Sequence, residues 1–234
     1  MNRVCLKVVW IVLLVAMGTA LLGPPAQAGP QLVCWPFDIG GAKSLPWGNG
    51  WHEVMPDYDR SRLSADTLAL LSPDASILLH METLRRAAIY AAKDPRAAKE
   101  LFSQLEKRAG AANSSAKPDP LALFDEGYFL EAYQQALWVE HSTLQLGTNV
   151  KGYEIIQRAL SLRGSDAQME FAAALVASAA GQGAAANQHL ARSAAGATDD
   201  SLLSKNLVTH CHIFQVRAAT LGELRSRLVL AKND

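Results

Sequence analysis

Three dipeptides predict where helices begin in this chain. Ser72-Pro73, Asp94-Pro95 and Asp119-Pro120 each place an oxygen-bearing side chain before a proline. A serine or aspartate at the N-cap accepts a hydrogen bond from a free N–H of the first turn. Proline just inside the helix gives up only an N–H that would have no partner there. Ser165-Asp166-Ala167-Gln168 adds a capping box ahead of an apolar stretch. Residues 61–234 are rich in Ala, Leu, Glu, Arg and Gln, which lose little on entering a helix. The spacing predicts helices over about 63–71, 73–92, 95–109, 120–144, 151–163, 166–180, 184–194 and 200–230, the last with a break near Thr220-Leu221-Gly222. Ile77, Met81, Leu84, Ala88 and Ala91 recur on one helical face, as do Leu121, Phe124, Tyr128, Ala132 and Leu137. The expected fold is all-α: helical hairpins in a bundle or a short α-solenoid.

The chain opens differently. Arg3 and Lys7 lead into an uncharged apolar run of 15 residues, Val8 to Leu22. Gly23-Pro24-Pro25 and the small residues of Ala26-Gln27-Ala28 follow. That run is short of the ~20 residues that span a bilayer. The pattern predicts a cleaved signal peptide over 1–28, export to a periplasmic or extracellular space, and no membrane anchor after cleavage. Gln31-Leu32-Val33 ahead of Cys34 lacks the small residue that a lipid-attachment signal needs. Cleavage takes Arg3 and Lys7 from the 22 basic side chains and none of the 22 acidic ones, leaving a net charge of about −2. A phosphate backbone calls for a basic face, so nucleic acid is not an expected partner.

Two cysteines remain, Cys34 and Cys211. In an oxidising compartment they are expected to form a disulfide, with two buried free thiols as the alternative. The loop of 178 residues would contribute roughly 5 kcal/mol on chain-entropy grounds.

Residues 29–60 form a second region, irregular and aromatic, ahead of a helical domain over 61–234. Trp35, Trp47 and Trp51 stand here among Pro30, Pro36, Pro46, Pro56 and several glycines. Rigid aromatics on adaptable turns suit a binding surface. The candidate contacts are Trp35, Trp47, Trp51, His52, Asp57 and Asp59. The alternative is that the rings plug one end of the helical body.

Other constellations carry less. His210 and His212, flanking Cys211, point about 200° apart on a helix and cannot share one ion unless the helix breaks there. Asp57 and Asp59 have Arg60 and Arg62 beside them, which explains them as capping and ion-pairing groups. His52-Glu53 has no second histidine at helical spacing, and Gly40-Gly41-Ala42-Lys43-Ser44 lacks the glycine before the lysine that a phosphate loop needs. Glu82 and Arg86 read as an exposed pair at four-residue spacing, and Glu126, Glu131, Glu140 and His141 as a solvated face. Gly110 to Lys117 reads as an exposed linker, with Asn113-Ser114-Ser115 matching a glycosylation acceptor pattern. No catalytic residue, metal ligand or cofactor is assigned.

Residues 166–199 span 34 positions and predict a hairpin around Gly181-Gln182-Gly183, with small residues at Ala173, Ala174, Ala177 and Ala186. This resembles one tetratricopeptide-type repeat. Residues 76–109 match in length, but Arg86 occupies a small-residue position, and the family's aromatic and Leu-Gly positions are missing. The resemblance implies a concave surface for peptides or proteins and does not imply catalysis. The expected function is an exported, non-catalytic protein- or peptide-binding module that meets an envelope or secreted partner. The alternatives are a small extracytoplasmic hydrolase or carbohydrate-binding protein using His52, Asp57 and Asp59 beside the aromatic segment, and a purely structural helper. The sequence does not fix the oligomeric state.

Overall fold

The computed structural model describes residues 30–114, 118–142, 144, 146 and 151–230. The expected signal peptide lies outside them, and the Asn113-Ser114-Ser115 pattern does so in part. Among the described residues the protein is all-α, with no strand. Its helices are α1 (Leu63–Leu70), α2 (Ile77–Ala92), α3 (Pro95–Asn113), α4 (Pro120–Val139), α5 (Gly152–Arg163), α6 (Ala167–Ala179), α7 (Gly183–Gly196), α8 (Leu202–His210) and α9 (Leu221–Leu230). Single turns of 3-10 helix precede α1 (Arg60–Arg62) and follow α8 (Cys211–Phe214).

Two of the proline caps form as the sequence predicts. Asp94 accepts from the N–H groups of Arg96 and Ala97, and Asp119 from that of Leu121. The third does not. Ser72-Pro73 sits in a turn closed by the Ala75 N–H on the Ser72 carbonyl, and α2 starts four residues later on the Ser76 hydroxyl. At α6 the capping side chain is Asp166, which reaches the N–H groups of Gln168 and Met169. The stretch read as a linker after Gly110 continues α3 to Asn113.

α4 ends at Val139, five residues before the predicted end. The N–H of Ser142 bonds back to Leu137 O at 2.9 Å and that of His141 to Trp138 O at 3.2 Å, with His141 at φ 51°. These paired bonds are a Schellman closure in which a non-glycine residue takes the left-handed position. α6 closes the same way with Gly181 at φ 72°. The predicted helix over 200–230 is two helices. α8 stops at His210, and Gln215, at φ 59°, turns the chain towards α9.

α2 is the central rod. Fourteen of its sixteen residues are buried, because α1, α3, α4 and α6 surround it together with residues 30–58. α4 packs on α2, α3 and α5, while α6 and α7 form a hairpin. α4 and α5 meet backbone to backbone at Gly127 and Gly152; a Cβ on Gly127 would come within 2.6 Å of the Gly152 carbonyl. That close approach sets the corner in which the groove described below opens.

The irregular segment has no core of its own. Leu32, Val33, Phe37 and Leu45 belong to the same apolar cluster as the helices. Several of its backbone polar groups are satisfied by side chains of α2. Arg85, fully buried, donates to both Glu82 carboxylate oxygens (2.7 and 2.9 Å) and to the carbonyls of Val33 (2.9 Å) and Trp51 (2.7 Å). Arg86 donates to Glu82 (2.6 Å) and to the Leu45 carbonyl (2.6 Å), and Glu82 accepts the Phe37 N–H. Tyr90 ties down the Pro46 carbonyl and the Met55 N–H. The predicted exposed pair Glu82–Arg86 is therefore a correction. Glu82 is buried, because the segment that covers it is remote in sequence and invisible to helical spacing.

Candidate functional site

Trp47 lies partly buried against the core, its ring beneath the guanidinium groups of Arg85 (4.9 Å) and Arg86 (5.6 Å), with Nε1 donating to the Gly50 carbonyl. It is part of the lid on α2. Trp35 and Trp51 remain 38% and 40% exposed. His52 pairs with Glu140 just past the end of α4, and Lys93 reaches the same carboxylate at 2.8 Å. Burial works against ionisation of Glu140, but Lys93 and His52 hold its carboxyl below the usual range. Asp59 caps the Arg60–Arg62 turn through Ser61, and Asp57 is exposed. Among the described residues no hydrogen bond joins His52 to Asp57 or Asp59; His52 pairs with Glu140.

Cys34 and Cys211 are both free thiols, which corrects the expected bridge. The Cys211 thiol faces the Ala218 carbonyl at 3.8 Å, within the turn before α9. The neighbouring residues do meet: Trp35 lies edge-on to His212 (4.7 Å between ring centres), and Phe37 stacks on His210 (5.1 Å). His210 is buried between Phe37 and Phe171, which drives its pKa down, whereas His212 is exposed. No group of residues suited to holding a metal occurs among the described residues.

Two buried polar centres resemble catalytic arrangements. His80 Nδ1 lies 2.6 Å from Asp125, deep between α2 and α4, with its Nε2 on the Ser72 carbonyl. Both side chains are almost fully buried, out of reach of a substrate. Glu170, His189 and Tyr153 form a line: Glu170 to His189 Nδ1 at 2.5 Å, and His189 Nε2 to the Tyr153 hydroxyl at 2.9 Å. Arg192 joins the cluster, donating to Glu170 (2.7 Å) with a second nitrogen 2.7 Å from His189 Nδ1. Burial pushes the Tyr153 hydroxyl up, which disfavours the phenolate a nucleophile would need. The line is a strut joining α5, α6 and α7.

A broad concavity opens beside that strut. It is a groove of about 950 Å³ between the end of α4, the start of α5, the α6–α7 turn, the Cys211–Phe214 turn and the residues at Pro30. Six glutamines line it: Gln31, Gln134, Gln135, Gln157, Gln182 and Gln215. Trp138 stands on its rim, 67% exposed, the most exposed large hydrophobic side chain among the described residues. Glu131, Gln134, Gln135 and Trp138 fall at i, i+3, i+4 and i+7, one stripe of α4. Glu131 closes the start of α5 by accepting the Tyr153 N–H (3.0 Å), and burial raises its pKa. Gln135 accepts the Leu32 N–H (2.8 Å), pinning the N-terminal segment along this edge.

The exposed tryptophans gather around this end. The carbonyls of Val33 and Trp51 share one nitrogen of Arg85, so the chain at 33–35 and at 51–52 lies side by side. Trp35 touches His212, a groove residue, and the Trp51 ring lies against His52, which pairs with Glu140 two residues past Trp138. The sequence reading missed Trp138 and the glutamines because it searched α4 for an apolar stripe. A polar stripe ending in a tryptophan was the available signal.

No protein-family model matches the chain, and no curated protein or solved structure matches it either.

Proposed function

We propose that this chain is an exported, non-catalytic binding module, and that the glutamine-lined groove with Trp138 on its rim receives a segment of an envelope or secreted protein. The observation that carries the proposal is Trp138, an indole left two-thirds in water beside a groove of about 950 Å³. Large exposed aromatics at the edge of a polar concavity are the anchors that interfaces are built on. The resemblance of residues 166–199 to a tetratricopeptide-type hairpin points the same way, since that family binds peptides. So does the inward placement of the polar centres, which leaves the groove with hydrogen-bonding groups and no activated nucleophile.

The test is a photo-reactive side chain at Gln134, expressed in the native host, with the crosslinked partner identified and its affinity then measured with purified components. The proposal expects one specific adduct and about a tenfold or greater loss of affinity on Trp138→Ala. An identified partner that binds Trp138→Ala as well as wild type, or hydrolysis of a substrate at the groove, would reject it.

A further inference from the structure

Resting on that reading, we infer that the segment the groove takes is proline-rich and uncharged, bound in the polyproline II conformation. The lining removes the other common modes of peptide recognition one at a time. Strand addition needs an exposed sheet edge, and no strand exists among the described residues. An amphipathic helix needs a continuous apolar trough, whereas amide side chains recur around this groove. Phosphorylated and acidic motifs need clustered arginines. The groove has none; its one lysine, Lys151, lies 3.8 Å from Glu154, and its other carboxylate, Glu131, is taken by the Tyr153 N–H.

What remains matches a polyproline II chain. Such a segment has no internal hydrogen bonds, lacks N–H groups at its prolines and presents bare carbonyls with flat, rigid rings. It therefore wants donors interleaved with aromatic faces. Each glutamine carboxamide supplies two N–H donors. Gln135 has its oxygen committed to the Leu32 N–H, which leaves its –NH2 to donate. Trp138 supplies a flat face and an indole N–H, and the Tyr153 ring lines the wall, held by its hydroxyl bond to His189. Pre-set polyproline II geometry lowers the entropy lost on docking.

The experiment is calorimetric titration of the purified protein with an end-capped peptide of Ala and Pro, about twelve residues and roughly 37 Å long as polyproline II. Three comparisons accompany it: the same peptide with Pro→Ala, a neutral oligosaccharide, and the Trp138→Ala and Gln135→Ala variants, their folding checked by circular dichroism. The expected result is saturable binding of the proline peptide, weakened about tenfold or more by Trp138→Ala and at least severalfold by Gln135→Ala, with no saturation by the alanine peptide. Equal binding of the alanine peptide, preferential binding of the oligosaccharide, or no binding of the proline peptide would each overturn the inference. If the peptide fails while the partner crosslinked at Gln134 still needs Trp138, the binding-module reading stands and only the ligand class falls. If the partner is indifferent to Trp138, both fall.

Discussion

Replacing Arg85 by methionine keeps the length of the side chain and removes its charge from a place with no access to water. Arg85 is fully buried, and its guanidinium makes four hydrogen bonds, two to Glu82 and one each to the carbonyls of Val33 and Trp51. Without it, Glu82 keeps Arg86 Nε at 2.6 Å and the Phe37 N–H at 3.1 Å, but loses its bidentate partner. Breaking a buried ion pair from one side costs about 3–5 kcal/mol, which for a domain of this size lowers Tm by roughly 6–20 °C. Two backbone carbonyls also lose their donor, so residues 30–59 should become the first part of the chain cut by protease. Urea denaturation gives the energy, and limited proteolysis with mass spectrometry gives the place. The double replacement Glu82→Leu/Arg85→Met removes the stranded carboxylate and should cost less than the sum of the two singles. A single-variant cost below about 1 kcal/mol, or strict additivity in the double, would refute the claim that this pair clamps the segment.

Gly127→Ala should cost about 1–3 kcal/mol by driving a methyl group into the Gly152 carbonyl; denaturation equal to wild type would show that α4 and α5 part easily. His141→Gly should stabilise by about 0.5 kcal/mol, because glycine takes the left-handed position without the Cβ penalty that His141 bears at φ 51°; a lower denaturation midpoint would contradict this. His210 has its pKa lowered by burial between Phe37 and Phe171. Its unfolded form takes up a proton near pH 6.5 while the folded form resists. Its contribution is therefore complete above about pH 6.5 and is lost as pH falls below it. His210→Phe should flatten that acid limb, and an NMR titration of His210 with a midpoint above 6.5 would reverse the sign.

How much of this was legible in advance depended on whether the signal was local. The caps at Asp94 and Asp119 were readable because an N-cap needs only the residues beside it. Ser72 misled because the same side chain and proline also suit a turn, and which one forms depends on what packs above it. The end of α4 was hidden because its closure uses His141, a residue that gives no glycine signal. At the site, Trp35, Trp47 and Trp51 stood out by composition, yet Trp47 is half-buried under two arginines and the other two are the exposed ones. Trp138 sat unnoticed in a helix.

The sequence by itself determined the all-α class, the approximate helices and the irregular character of residues 30–59, since propensity, capping and proline act over a few residues. Only the tertiary structure decided that Glu82 and Arg85 face inward, that His52 meets Glu140 across 88 positions, and that glutamines from five separate stretches of chain line one groove. Those facts rest on contacts between distant segments, and burial, the property that turns an ordinary side chain into a clamp or a binding wall, exists only after the chain has closed on itself.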